Sequence, residues 1–385
     1  LAACNSYSLG EADFKAERFE MAIEHYKDSL KSFTEIRRLE GVSEGVREGV
    51  LEGVACTNCH LGSCCFRIGK YTEAIEYYEK GLQVSTEIGD RSGIANNNNN
   101  LGNVYFMLGK HQKAIDYFKA SLEIETEIDN QSGIANTTGN LGNVYFGLGQ
   151  FKEAIDYHKK SLELSTEIED RSGIAMSNGN LGSAYRLLGE YQKAIEYYER
   201  SLELYTEIGD RVEIGTNYTN LGNAYGSLGE YQKAIEYYEK ALQISTEIGD
   251  WSGIANNNGN LGSVCNELGD RQKAIAYHKK ALQISTKIGN RVVIANENKH
   301  LGNVYDNLGE HGLAIEYYET SLQIYTEIGD RSGTAICHGS LGVTHNNLGE
   351  YQKAIEYYKK SLQISTDIGN RFEIARNNSN LGNSY

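Results

Sequence analysis

Proline is absent from all 385 residues of the chain. Pro-rich linkers are thereby excluded, and the composition suits helices joined by short turns. Long apolar runs are missing too, since none approaches the ~20 residues of a membrane-spanning helix. Positive charge is in short supply, with 37 Lys and Arg against 52 Asp and Glu and a formal net charge of −15. No general affinity for nucleic acid and no membrane insertion are expected, and a neutral or basic partner is favoured. The seven cysteines are scattered and odd in number. They make no disulfide framework and fit a reducing compartment, so a cytoplasmic location is expected. Four Asn-x-Ser/Thr sequons begin at Asn130, Asn136, Asn217 and Asn377. An Asn-rich chain produces these by chance, and glycosylation is not expected.

What the chain does have is a period. Leu-Gly recurs at Leu61, Leu101, Leu141, Leu181, Leu221, Leu261, Leu301, Leu341 and Leu381, forty residues apart each time. One unit has been copied rather than several domains joined. Each unit carries Leu101-Gly102-x2-Tyr105 and then Ala114-Ile115-x2-Phe118-x3-Leu122, or their counterparts, both on helical spacing. A unit is therefore a pair of helices. Gly109 and its counterparts mark the turn inside the pair, while Gly89, Gly209, Gly249, Gly289, Gly329 and Gly369 stand where a left-handed C-terminal cap favours glycine. Asp129 and Glu169 are the exceptions there. The next residue is always Asp or Asn, a natural N-cap. So small a hairpin cannot bury its own apolar face, and its stability must come from stacking on neighbours.

These motifs resemble the tetratricopeptide repeat, whose Leu-Gly-x2-Tyr, then Ala, then an aromatic four later, recurs in the units from Leu61 onward, with Cys65, Cys265 and His345 in place of the Tyr. The resemblance implies an all-α fold, a right-handed superhelical solenoid of antiparallel helix pairs. Asn98 stands at the family's Trp position and Thr126 at its Pro position, and each unit runs about six residues past the usual length. The longer form is similar to the repeats of Pins-type G-protein-signalling modulators and of tetratricopeptide repeat protein 28, and more distantly to kinesin light chains.

Residues 1–60 read as a divergent first hairpin, 61–380 as eight phase-locked units, and 381–385 as the start of a truncated further repeat. In the first hairpin Leu9-Gly10 and Ala22-Ile23 match Leu61-Gly62 and Ala74-Ile75 at a spacing of fifty-two. A Gly-Val-x-Glu insertion at 41–54, led by Gly41, Gly45, Gly49 and Gly53, accounts for the surplus. Glycine costs ~1 kcal/mol relative to alanine in a helix, so this stretch is expected to be a weak, frayed helix or a loop. The chain starts at Leu1 and stops within a hairpin, and both ends are expected to be cut from something longer.

By the same resemblance the first helix of each pair lines a concave groove. Residues five and one before the Leu, and two, five and six after it, then point into that groove. One before the Leu stand Asn100, Asn140, Asn180, Asn220, Asn260 and Asn380, with His60, His300 and Ser340 as variants. Two after it stand Asn103, Asn143, Asn223, Asn303 and Asn383, with Ser63, Ser183, Ser263 and Val343 as variants. A carboxamide both donates and accepts, so this ladder suits the backbone of an extended peptide. Specificity is expected where the repeats differ, at Phe66/Arg67, Phe106/Met107, Phe146/Gly147, Arg186/Leu187, Gly226/Ser227, Asn266/Glu267, Asp306/Asn307 and Asn346/Asn347. Apolar partner side chains would meet Phe66, Phe106, Met107, Phe146 and Leu187. A basic segment could reach Glu267 and Asp306. The bland alternatives are that the Asn residues are solvated or bond neighbouring helices, and that the Phe rings pack on adjacent repeats.

The expected function is a non-enzymatic scaffold or adaptor that binds an extended segment of another protein, with cell-division or G-protein-signalling roles implied by the resemblance. Pins-type repeats carry Arg five residues before the Leu to engage acidic peptides. Here that position holds Asn96, Asn136, Met176, Thr216, Asn256, Asn296 and Ile336, and only Arg376 matches. No Gα-binding motif is visible within the 385 residues. The family's clamp for a terminal carboxylate is met only in part by Lys299, Asn303, Arg376 and Asn380. Two other classes stay open: a structural or self-associating spacer, and an effector or catalytic domain outside this stretch.

Cys56-Thr57-Asn58-Cys59-His60 matches the short haem-attachment signature, with Cys64 and Cys65 close behind. Register opposes a cofactor, because Cys65 takes the core Tyr position, and a helix spreads Cys56 and Cys64 over ~12 Å. No metal and no cofactor are expected. No nucleophile, base and orienter can be picked out, and no enzymatic activity is expected.

Overall fold

The computed structural model describes residues 2–39 and 43–384. It divides into two compact units, 1–204 and 205–385. Helices of the first are α1 (Ala2–Lys15), α2 (Phe19–Arg37), α3 (Glu44–Arg67), α4 (Tyr71–Ile88), α5 (Arg91–Met107), α6 (His111–Glu127), α7 (Gln131–Gly147), α8 (Phe151–Glu167) and α9 (Arg171–Leu187), followed by α10 (Tyr191–Ile208). Helices of the second are α11 (Arg211–Leu228), α12 (Tyr231–Ile248), α13 (Trp251–Glu267), α14 (Arg271–Ile288), α15 (Arg291–Asn307), α16 (His311–Glu327), α17 (Arg331–Asn347), α18 (Tyr351–Asp367) and α19 (Arg371–Ser384). No strand occurs among the described residues.

The turns follow from the backbone. Gly109 closes the α5–α6 turn at φ +68°, and Gly89 ends α4 at φ +72°. Asp129 and Glu169, which replace glycine at the latter position, adopt the same left-handed geometry at φ 55° and 56°. Asn and Asp tolerate that region better than most residues, whereas Glu carries the fuller steric cost. The following residue then starts the next helix: Asp90 Oδ1 accepts from the Gly93 N–H at 2.9 Å.

Within each unit consecutive helices pack side by side, and first helices also touch the first helices of adjacent hairpins, as α3 with α5 and α13 with α15. The repeated Leu is the anchor, fully buried at Leu61, Leu101 and Leu181 in the first unit and at Leu221, Leu261 and Leu301 in the second. Beside it the helices come too close for a side chain. A Cβ on Gly102 would lie 2.6 Å from Phe118 Cε1, and one on Gly142 would lie 2.6 Å from His158 Cε1. Serine pins the pair at its other end, with Ser121 Oγ donating to Ala95 O and Ser161 Oγ to Ala135 O, both at 2.9 Å.

Two expectations change. The glycine-rich stretch is neither frayed nor a loop from residue 44 onward, because α3 runs unbroken through Gly45, Gly49 and Gly53. Its outer half is held by Val54 and Ala55, which are buried against Leu30, Phe33 and Val84, and Val50 is buried as well. Gly41 lies outside the described residues, as does Tyr385. Leu122, which the helical spacing puts with Ala114, Ile115 and Phe118 on the apolar face, is only half-buried, and the neighbouring Ser121 is the fully buried side chain.

Candidate functional site

The asparagine block of α5 divides by helical phase. Asn97 and Asn98 are buried and turn back onto their own helix, Asn97 Nδ2 donating to Gly93 O at 2.8 Å and Asn98 Nδ2 to Ile94 O at 3.0 Å. Asn96 is exposed, and Asn99, Asn100 and Asn103 are half-buried on the opposite side. A period of 3.6 residues requires this split whatever the residue type.

The amides one before the Leu are partly committed between repeats. Asn140 Nδ2 donates to Asn99 Oδ1 at 2.9 Å, and Asn100 Nδ2 donates to Cys59 Sγ at 3.6 Å. Asn180, Asn220 and Asn260 are half-buried, with Asn180 and Asn220 lining clefts. The amides two after the Leu depend on the residue fifteen positions on. Tyr238 and Tyr318 donate their hydroxyls to Asn223 Oδ1 and Asn303 Oδ1, both at 2.8 Å. Asn103 and Asn143 face Phe118 and His158 at that position. A phenyl ring has no hydroxyl to give.

In the first unit four of the expected residues, Phe106, Asn143, Phe146 and Asn180, come together. Phe106, Asn143, Phe146, His158, Asn180 and Ser183 line a cleft of about 220 Å³. Asn143 and Asn180 also line a neighbouring cleft of about 150 Å³ with Asn136, Asn140 and Met176. The Phe106 ring leans on His111 with centroids 5.8 Å apart, and the Phe146 ring on Phe151 at 5.5 Å. A Cβ on Gly147 would lie 3.1 Å from Phe106 Cε2, so that glycine leaves the ring its room. Phe66 is half-buried against Tyr71 at 5.8 Å. Met107 and Leu187 are exposed, at 54% and 44%, and neither lines this cleft.

Sequence reasoning missed His158. It occupies a core aromatic position, is 1% exposed, and its Nδ1 has no hydrogen-bond partner. Burial lowers its pKa to about 4, so the ring is neutral at physiological pH. The cleft thus offers two phenyl rings, free amides and a neutral imidazole.

The second unit offers a different surface. Glu267, Asn303, Asp306, Tyr318 and Arg376 line a polar cleft of about 320 Å³. Arg376 is close to Glu373 at 2.8 Å, and Lys299, partly buried, donates to Asn296 Oδ1 at 3.4 Å. The two carboxylates in this cleft oppose capture of a terminal carboxylate. Among the described residues no three His, Cys, Asp or Glu side chains are placed to hold a metal ion, and no helix is long and apolar enough to cross a membrane.

The tetratricopeptide-repeat family model matches residues 53–127, 133–207, 213–287 and 293–367, well over half of the chain. The chain belongs to the tetratricopeptide-repeat family. No curated protein matches it in sequence. Solved structures share its fold. Aspartyl phosphate phosphatase F from Bacillus subtilis is 15% identical with a TM-score of 0.62, over 94% of each chain. A Rap protein complexed with competence and sporulation factor is 14% identical with a TM-score of 0.55, over 90% of this chain and 98% of that one. A signal transduction ATPase with a tetratricopeptide-repeat sensor from Pyrococcus horikoshii is 16% identical with a TM-score of 0.65, over 93% of this chain and 55% of that one. At these identities the likeness establishes the all-α solenoid fold of the tetratricopeptide repeat and no more.

Proposed function

We propose that this tetratricopeptide-repeat chain is a non-enzymatic cytoplasmic scaffold that takes an extended segment of a partner protein along the face of its first helices. The observation that carries the reading is the convergence of Phe106, Phe146, Asn143 and Asn180 on one cleft. Apolar rings beside free carboxamides suit an extended peptide, which presents side chains and backbone amide groups in alternation. Phe106 and Phe146 supply the anchor and the amides pair with backbone. The Rap protein of the same fold is described in complex with a competence and sporulation factor, in keeping with a partner-binding role. The resemblance to Pins-type modulators makes cell division or G-protein signalling the setting to test first.

The test is capture from lysate with mass spectrometry, comparing wild type with the combined Phe66→Ala, Phe106→Ala and Phe146→Ala variant after circular dichroism shows equal helicity. A partner lost only in the variant, and recovered as a synthetic segment that binds the wild type, supports the reading. Equal capture by both proteins defeats it and leaves the structural spacer in its place.

A further inference from the structure

The haem-like stretch that register dismissed as an ordinary helix acquires a partner in the fold. Tyr7, on α1, brings its hydroxyl to 2.9 Å from Cys56 Sγ on α3 and to 3.3 Å from His60 Nδ1. His60 follows Cys56 by one helical turn. Its Nδ1 lies 2.9 Å from the Cys56 carbonyl oxygen and 3.7 Å from Cys56 Sγ. A carbonyl can only accept, so that nitrogen carries a proton, and the same N–H leans toward the sulfur. The Tyr7 hydroxyl and the His60 N–H therefore converge on one exposed thiol, and both can donate to it once it is a thiolate.

Cys56 and His60 stand at the mouth of a cleft of about 440 Å³. At its inner side is Ser85, 1% exposed, whose Oγ has no hydrogen-bond partner. An orphaned buried polar atom at a cleft is a group for a ligand to satisfy. Glu52 and Asp90 also line it, and no Lys or Arg does. A ligand bearing an amine meets both needs, donating to the orphaned Ser85 oxygen and offsetting the carboxylates.

We propose that Cys56 is a thiol-modification site, poised by His60 and Tyr7, that takes small amine-bearing disulfides. The Cys56 thiolate attacks one sulfur of R–S–S–R; the new S–S bond forms as the old one breaks, and the departing thiolate takes its proton from water. No further oxidant enters. The groups around the sulfur are Tyr7 and Glu11 from α1, Tyr26 from α2, and Cys59 and His60 from α3, with Asp90 across the cleft. The His60 hydrogen bond holds the Cys56 thiol below its ordinary range, against opposition from burial and Glu11. The contact with Cys56 raises His60 in turn, despite burial. Burial pushes Cys59 up to about 11 and Cys64 up to about 12, which leaves them inert beside it.

The test treats the full chain with cystamine at pH 7 and follows each cysteine by peptide mass spectrometry, with the exposed Cys4 as the internal reference. Cys56 is expected to form its mixed disulfide roughly 3-fold or more faster than Cys4, because a lowered thiol gains thiolate faster than it loses nucleophilicity. It should also prefer cystamine over oxidised glutathione by a larger factor than Cys4 does. His60→Gln should slow Cys56 several-fold and leave Cys4 unchanged. Since that variant could loosen the hairpin, the wild-type pH profile is a second readout, and Cys56 should level off below a free cysteine peptide. Equal rates at Cys56 and Cys4, an unshifted profile, or the same disulfide preference at both sites would overturn the proposal.

Discussion

The Tyr238 hydroxyl donates to Asn223 Oδ1 at 2.8 Å, a bond that ties the second helix of a hairpin to the first. Ser63 and Ser183 accept from Tyr78 and Tyr198 in the same way, at 3.1 and 3.0 Å. Phe118 breaks the series and leaves the Asn103 amide free. Phe118→Tyr should restore the bond, raise stability by about 1 kcal/mol, and weaken any partner that uses Asn103. Urea denaturation together with the capture assay measures both arms, and a free Asn103 amide in the variant would contradict the account.

Close approach beside the repeated Leu predicts an asymmetric mutational response. Gly102→Ala forces a methyl into the Phe118 ring, at 2.6 Å, and should destabilise by about 1–3 kcal/mol. Chemical denaturation reads this directly. Nearest-neighbour coupling between repeats predicts that the loss is concentrated in hydrogen exchange of α5, α6 and their immediate neighbours.

The glycines of α3 should respond in opposite directions. Gly45 and Gly49 have no heavy atom within 4 Å of an added Cβ, whereas one on Gly53 would lie 2.6 Å from Phe33 Cζ. Alanine at the first two should stabilise by roughly 0.5–1 kcal/mol each through helix propensity. At Gly53 it should destabilise. Amide exchange along α3 distinguishes the two.

Burial of His158 sets a pH dependence. Its folded pKa, about 4, lies below the ordinary histidine value, so the unfolded chain takes up a proton first as pH falls. The stability this neutral ring contributes is present above about pH 6.5 and is lost as pH drops toward 4, by about 2 kcal/mol between pH 7 and 5. His300, lowered to about 3 chiefly by burial, should act in the same direction. His158→Phe should flatten the profile of thermal unfolding between those pH values. An unchanged slope would remove His158 as its source.

Much of this architecture is legible in one dimension because it rests on local physics. The forty-residue period, the alternation of helix and turn, the left-handed caps and the buried Leu61, Leu101 and Leu141 follow from glycine placement and helical spacing. The departures are instructive. The glycines from 44 to 54 read as helix-breaking by propensity, but burial of Val54 and Ala55 against α2 and α4 outweighs that cost. The residues expected in the groove share one face of their helices by spacing, but spacing alone could not tell a free amide from a spent one.

The sequence by itself determined the repeat, its helices, its turns and its anchoring residues, since each depends on contacts within about forty positions. Only the tertiary structure decided which side chains have partners. Asn140 bonds Asn99 across 41 residues and Tyr7 reaches Cys56 across 49. Hydrogen bonding and thiol activation depend on distances of a few ångströms between separate helices, and no spacing along the chain encodes those distances.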